Sequence, residues 1–187
     1  MKIFDTEILD IKIIKPTVYE DERGYFFEAY NAHEFGELMG FCPSFCQSNE
    51  SFSKKGTIRG LHLQKEPYAQ SKLVRVISGT VLDVAVDCRV DSHSFGKHVA
   101  VELSSKNNLQ LWIPKGFAHG FQVLSETCLL NYQVDTPYNS AAEVSVNAFD
   151  TFINIKWHPS DELIMKESDR NAGNFFDVIA QESIRVY

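Results

Sequence analysis

From Lys72 onward, apolar and polar positions alternate in short runs: KLVRVIS (72–78), VLDVAVD (81–87), HVAVEL (98–103), LQLWI (109–113), FQVL (121–124) and CLLNYQV (128–134). Turn-forming stretches such as SGT, SSKNN and PKGFAHG separate them. A period of two, interrupted at this rhythm, predicts an antiparallel sandwich or barrel. Two helices are expected beside it. One covers NAHEFGELMG (31–40), with Asn31 as N-cap and Gly40 as terminator, and the other opens at PSDELIM (159–165) with Ser160 as its cap. No repeat, low-complexity run or Gly/Ser linker divides the sequence, so residues 1–187 are expected to form one domain.

Alternation also assigns faces, because side chains two apart on a strand point the same way. In CLLNYQV, Tyr132 shares a side with Cys128, Leu130 and Val134 and is expected to point inward. In VLDVAVD, Asp83 and Asp87 fall with Val81 and Ala85, opposite Leu82, Val84 and Val86, so one face is mixed. A carboxylate inside a barrel needs a partner, and His119 is the candidate for Asp83. Lys72 lies on the side of Val74 and Val76. A lysine at a strand end commonly snorkels to water, although an inward position is also open to it.

A chain of 187 residues can bury roughly two-thirds of its unfolded surface and needs no disulfide staple. Its net charge of −7 argues against a general nucleic-acid binder, which needs a basic face for phosphates. Local basic groups can still hold a small anion. Cys42, Cys46, Cys88 and Cys128 are few for the length, and the opening MKIFDTEILD carries no long apolar run. A cytoplasmic protein with reduced thiols is expected, Cys42 and Cys46 being small buried or reduced thiols. No apolar run is long enough to cross a bilayer.

The stretch RGLHLQ (59–64) sets Arg59 three positions before His62. A two-histidine metal site on a strand would read His-x-His, whereas here the second position is Gln64, and His119 alone is a thin addition. No metal is expected. Taken alone, His62 reads as a satisfied core histidine, but Arg59 beside it is a forked donor suited to phosphate. The stretch DERGYFFEAYN (21–31) adds Arg23, Phe26 and Glu28. Each has a plain alternative: Arg23 as an exposed turn residue before Gly24, Phe26 and Phe27 as core filling, Glu28 as part of a solvated face. His33, His93, His98 and His158 read as surface residues.

Five segments, DERGYFFEAYN, QSNESFSKKGTIRGLHLQ, AQSKLVRVISGTVLDVAVDCR, QLWIPKGFAHGF and LLNYQVDTPYN, together resemble the dTDP-4-dehydrorhamnose 3,5-epimerase family, in order from about residue 5 to about residue 170. The resemblance implies an all-β, cupin-type jelly roll that works without metal or other cofactor. It also implies a homodimer whose N-terminal strands cross to the partner, and a dTDP-linked 4-keto-6-deoxyhexose as substrate. His62 then matches the general base, Tyr132 the general acid, Asp169 in KESDRN the carboxylate that orients the histidine, and Lys72 the group that stabilises the enolate. Arg59 and His119 match diphosphate and sugar contacts, with Arg23 and Glu28 supplied by the neighbouring chain and Phe26 counted with the substrate-binding set. Gln47, Asn49 and Glu143 match further nucleotide contacts, and Tyr138 a ring stacked near the thymine. The chain departs at Ser168, where many members carry lysine, which places one substrate contact in question. Two rivals stand beside this reading: a single-site epimerase or ketoisomerase on a related dTDP-sugar, and a non-catalytic cupin that binds sugar nucleotides.

Overall fold

A computed structural model describes residues 1–182; the expected domain also takes in 183–187, which lie outside the described residues. Thirteen strands run along the described residues: β1 (Lys2–Asp5), β2 (Lys12–Lys15), β3 (Tyr19–Asp21), β4 (Gly24–Phe26), β5 (Gln47–Lys54), β6 (Ile58–Gln64), β7 (Lys72–Ser78), β8 (Thr80–Asp87), β9 (His98–Ser104), β10 (Gln110–Ile113), β11 (Phe117–Val123), β12 (Thr127–Val134) and β13 (Glu143–Ser145). Three short helices accompany them, α1 (Ala32–Met39), α2 (Glu167–Arg170) and α3 (Phe175–Glu182).

The strands form a six-stranded sheet in the order β1-β2-β10-β7-β12-β5 and a five-stranded sheet in the order β13-β6-β11-β8-β9. All strand pairs within them are antiparallel. The two sheets face each other across a core of Val74, Leu111, Ile113 and Leu130 from one and Val81, Ala85, Leu103 and Phe121 from the other. This is the expected all-β cupin-type sandwich. The strand β8 carries apolar residues on both faces: Val81 and Ala85 enter the central core, while Val84 and Val86 enter a second one roofed by Phe175 and Ile179 of α3. A third cluster, around Trp112 and Leu73, is covered by Phe35 of α1. The expected cap of α1 is present, with the Asn31 side chain accepting from the amides of His33 and Glu34 and Gly40 closing the helix at φ 77°.

Four expectations need correction. PSDELIM does not become a helix. The Ser160 hydroxyl bonds forward to the Glu162 carbonyl at 2.7 Å, and Ile164 pairs in parallel with Thr57 through hydrogen bonds to Gly56 and Ile58, so the segment is an extended strap along the start of β6. The stretch FAHG is not a turn but the first half of β11, buried throughout. His98 sits half-buried on β9, while His33, His93 and His158 are exposed as expected. All four cysteines are free, but Cys42 and Cys46 are exposed rather than buried.

One irregularity positions the site. His62 lies opposite His119, whereas Arg59 lies opposite Phe121, so three steps along β6 match two along β11. This bulge falls at Gly60, which adopts φ +106°. A regular strand would turn Arg59 and His62 to opposite faces; the extra residue resets the parity. Ile58, Leu61 and Leu63 consequently all reach the second core, and Arg59 and His62 both line the cavity between the sheets. A Cβ on Gly60 would sit 2.5 Å from the His119 carbonyl and 2.7 Å from the Gly120 Cα. Gly60→Ala is therefore expected to destabilise the fold by about 2 kcal/mol or more, measured by chemical denaturation, through both the backbone conformation and the clash.

Candidate active site

A cavity of about 560 Å³ opens at one end of the sandwich, lined from the five-stranded side by Arg59, His62, Gln64 and His119 and from the six-stranded side by Lys72 and Tyr132. Tyr138, Glu143, Lys166 and Asp169 complete its wall and mouth. The inward parity expected for Tyr132 holds: its pairing with Val74 and Asn49 sets it on the interior face of β12. Lys72 also points inward and is buried.

The His62 ring is fixed by Asp169, with Nε2 donating to the Asp169 Oδ1 at 2.8 Å. The other carboxylate oxygen accepts from the amide of Gly60 at 3.2 Å, so the bulge both turns the histidine inward and tethers its partner. With Nε2 turned to Asp169, Nδ1 is the ring nitrogen left for the cavity, 4.0 Å from Glu143 Oε1. Burial works against ionising Asp169, but the hydrogen bond and charge of His62, the Gly60 amide and the charge of Lys166 outweigh it and hold the carboxyl below its ordinary value.

Lys72 has a different environment. Burial pushes its ammonium down to about 8, opposed by the charges of Asp83 and Glu143. Its Nζ reaches the His62 carbonyl at 3.4 Å, leaving donors for a ligand atom. Tyr132 is shifted upward, chiefly by burial and then by Glu143, against a smaller opposing pull from Arg59; its phenol therefore holds its proton at neutral pH. The pairing of His119 with Asp83 is present at 2.8 Å, both groups buried. Burial is the main reason His119 titrates below its ordinary value.

At the rim, the Tyr138 hydroxyl donates to Glu143 at 2.6 Å. Gln47 accepts from the Tyr138 amide and donates to Asn49 at 2.7 Å, so these two stand behind the rim rather than in the lining. Arg59 donates only to neutral oxygens, Ser53 Oγ at 3.0 Å and the Phe52 carbonyl at 3.1 Å. Arg23, Phe26 and Glu28 do not reach this cavity within the chain. Arg23 is 85 % exposed and pairs with Asp21, Phe26 is exposed on the separate β3–β4 hairpin, and Glu28 accepts from Asn31. Among the described residues no set of three His, Cys, Asp or Glu side chains is placed to hold a metal, and Gln64 has its amide tied to Tyr68 and Asn139.

Gln64, as a contact, and Lys166 are among the lining residues not singled out in the sequence. Alternation from His62 would have found Gln64. Nothing in the local pattern could have found Lys166, because its position depends on the strap.

A profile of the dTDP-4-dehydrorhamnose 3,5-epimerase family matches residues 5–177. The chain belongs to that family. It is 47% identical over 177 residues to the dTDP-4-dehydrorhamnose 3,5-epimerase of Shigella flexneri, covering 95% of this chain and 97% of that one. The solved dTDP-6-deoxy-D-glucose-3,5-epimerase of Legionella pneumophila, in complex with dTDP-4-keto-L-rhamnose, superposes with a TM-score of 0.95 at 41% identity, covering 100% of this chain and 98% of that one. A 3'-monoepimerase from Streptomyces bikiniensis, in complex with dTDP-quinovose, superposes with a TM-score of 0.92 at 27% identity, covering 98% and 92% of the two chains. Solved proteins of this shape therefore include both a 3,5-epimerase and a 3'-monoepimerase.

Replacing Asp169 with Asn tests the tether. Because the folded carboxyl is held below its ordinary value of 3.8, its contribution is complete above that pH and is lost as pH falls through the folded value. Asp169→Asn should cost roughly 1–3 kcal/mol at pH 7, and urea denaturation should show the gap to the parent closing as pH falls below 3.8.

Proposed function

We propose that this chain inverts C3 and C5 of dTDP-4-dehydro-6-deoxy-D-glucose to give dTDP-4-dehydro-L-rhamnose, by proton transfer through an enolate. The observation that carries the reading is that His62 and Tyr132 rise into one cavity from facing sheets, as inversion of a carbon acid requires. Both hydrogens to be removed lie alpha to the C4 ketone. His62 Nδ1 takes the proton from carbon, the C–H electron pair becomes the new C=C bond, and the carbonyl pair moves to O4. Lys72 holds that oxyanion from a buried position, where a preorganised charge is worth several kcal/mol. Tyr132 then delivers a proton to the opposite face of the same carbon, and the ketone reforms. Asp169 keeps the imidazole in the tautomer that can accept. Arg59 and His119 serve the diphosphate and sugar, Tyr138 the base, and Glu143, Gln47 and Asn49 the nucleotide contacts around it.

The assembly we propose is a cytoplasmic homodimer of 187-residue jelly-roll units. The β3–β4 hairpin supports it: the hairpin belongs to neither large sheet, and its Tyr19, Tyr25 and Phe26 are each about 60 % exposed, at 63, 59 and 66 %. In this reading a second copy covers those rings, and Arg23, Phe26 and Glu28 complete the partner's cavity. Subunit mixing tests it. Arg23→Ala and His62→Ala should each be impaired alone, and after subunit exchange the mixture should regain activity, because one mixed site carries both intact residues. No recovery after verified exchange would place all the machinery within one chain.

Deuterium uptake from heavy water tests the chemistry. The parent should label both C3 and C5, and His62→Ala should label neither. Tyr132→Phe should still exchange from the histidine side while losing inversion. Exchange in the parent should slow as pH rises through about 8, where Lys72 loses its charge. A second reading, single-site epimerisation, has the 3'-monoepimerase likeness in its favour; label at one carbon only would establish it, and no label at all would leave a sugar-nucleotide binder.

A further inference from the structure

Two cations line this cavity with no ion pair to either among the described residues. Arg59 donates to neutral oxygens only, and Lys166 has no hydrogen-bond or ion-pair partner among the described residues while lining the same cavity. The strap brings the two segments together. The parallel bridge joins Thr57 to Ile164, and two steps further along each segment lie Arg59 and Lys166. The Lys166 carbonyl accepts from the amides of Asp169 and Arg170, each at 3.1 Å, so the backbone that bears this lysine is held against α2 rather than loose. In a protein of net charge −7, two cations that line one cavity from neighbouring segments are the complement of a dianion.

We propose that Lys166 is the second cation of the diphosphate subsite, paired with Arg59, and that it supplies from the strap the charge that Ser168 does not. This inference rests on the sugar-nucleotide reading above. Ser168 lies one residue from Asp169 and turns its hydroxyl toward Asp169 Oδ1 at 3.4 Å, so it brings no charge to the mouth. Lys166 does, from two residues upstream. Its field also reaches Asp169, so an anion bound there stands close to the carboxylate that orients His62. The lysine is a binding and positioning group; it moves no proton in the reaction.

Calorimetric titration with dTDP, thymidine and inorganic pyrophosphate tests this on the full-length protein. Lys166→Ala should weaken dTDP and pyrophosphate roughly tenfold, the loss of one charge-assisted contact at an exposed site. Thymidine, which has no phosphate, should bind as it does to the parent, and Lys166→Arg should keep most of the dTDP affinity. With the sugar nucleotide, the loss should appear in KM rather than kcat. A Lys166→Ala variant that binds dTDP like the parent, or loses thymidine equally, would overturn the inference while the functional reading stands. A parent that binds neither dTDP nor pyrophosphate would overturn both.

Discussion

A single peptide unit governs this site: the bulge at Gly60. Side chains on a regular strand alternate with a period that admits no exceptions, so an arginine and a histidine three apart cannot share a cavity unless the count is broken. The break needs a residue with no Cβ, because the chain there lies against the His119 carbonyl and takes a positive φ. It also releases an amide from the ladder, and that amide holds the Asp169 carboxylate. Cavity-facing cation, imidazole and the carboxylate that orients it are thus three results of one local departure from strand geometry.

The sandwich is built to tolerate what the bulge brings in. Lys72, Asp83, His119 and Asp169 are all buried, and a buried charge is costly unless paired. His119 and Asp83 are paired directly, as are His62 and Asp169. Lys72 has no such partner at contact distance and takes the consequence as a lowered affinity for its proton. The apolar cores on either side of β8 surround these groups with rigid packing. That rigidity keeps His62 and Tyr132 on opposite walls of the cavity.

Much of this could be read from the sequence where the period of two was clean. The runs from Lys72 to Val134 gave the strands, the inward face of Tyr132 and the pairing of Asp83 with His119. The reading failed where local chemistry and tertiary contact disagree. PKGFAHG contains the residues of a turn, yet β6 and β8 on either side draw its second half into the sheet. Ser160 and the acidic residues after it carry a helix-start signal, but hydrogen bonds to Gly56 and Ile58 hold the segment extended instead. Parity along RGLHLQ cannot be counted through a bulge that is itself silent in the pattern. The N-terminal hairpin, with Arg23 and Phe26 turned to solvent, matched the plain reading of Arg23 and not the core-filling one of Phe26.

The link between His62 and Asp169 spans 107 residues of chain. During synthesis, at about 5–20 residues per second, the histidine is made several seconds before its carboxylate, and both sheets can be largely assembled in between. A nascent chain that stops just short of α2 would own all thirteen described strands and still hold an unoriented imidazole. The strap and α2 thus act as a late clasp: the ring of a histidine made early in the chain is set only once all thirteen described strands have been made.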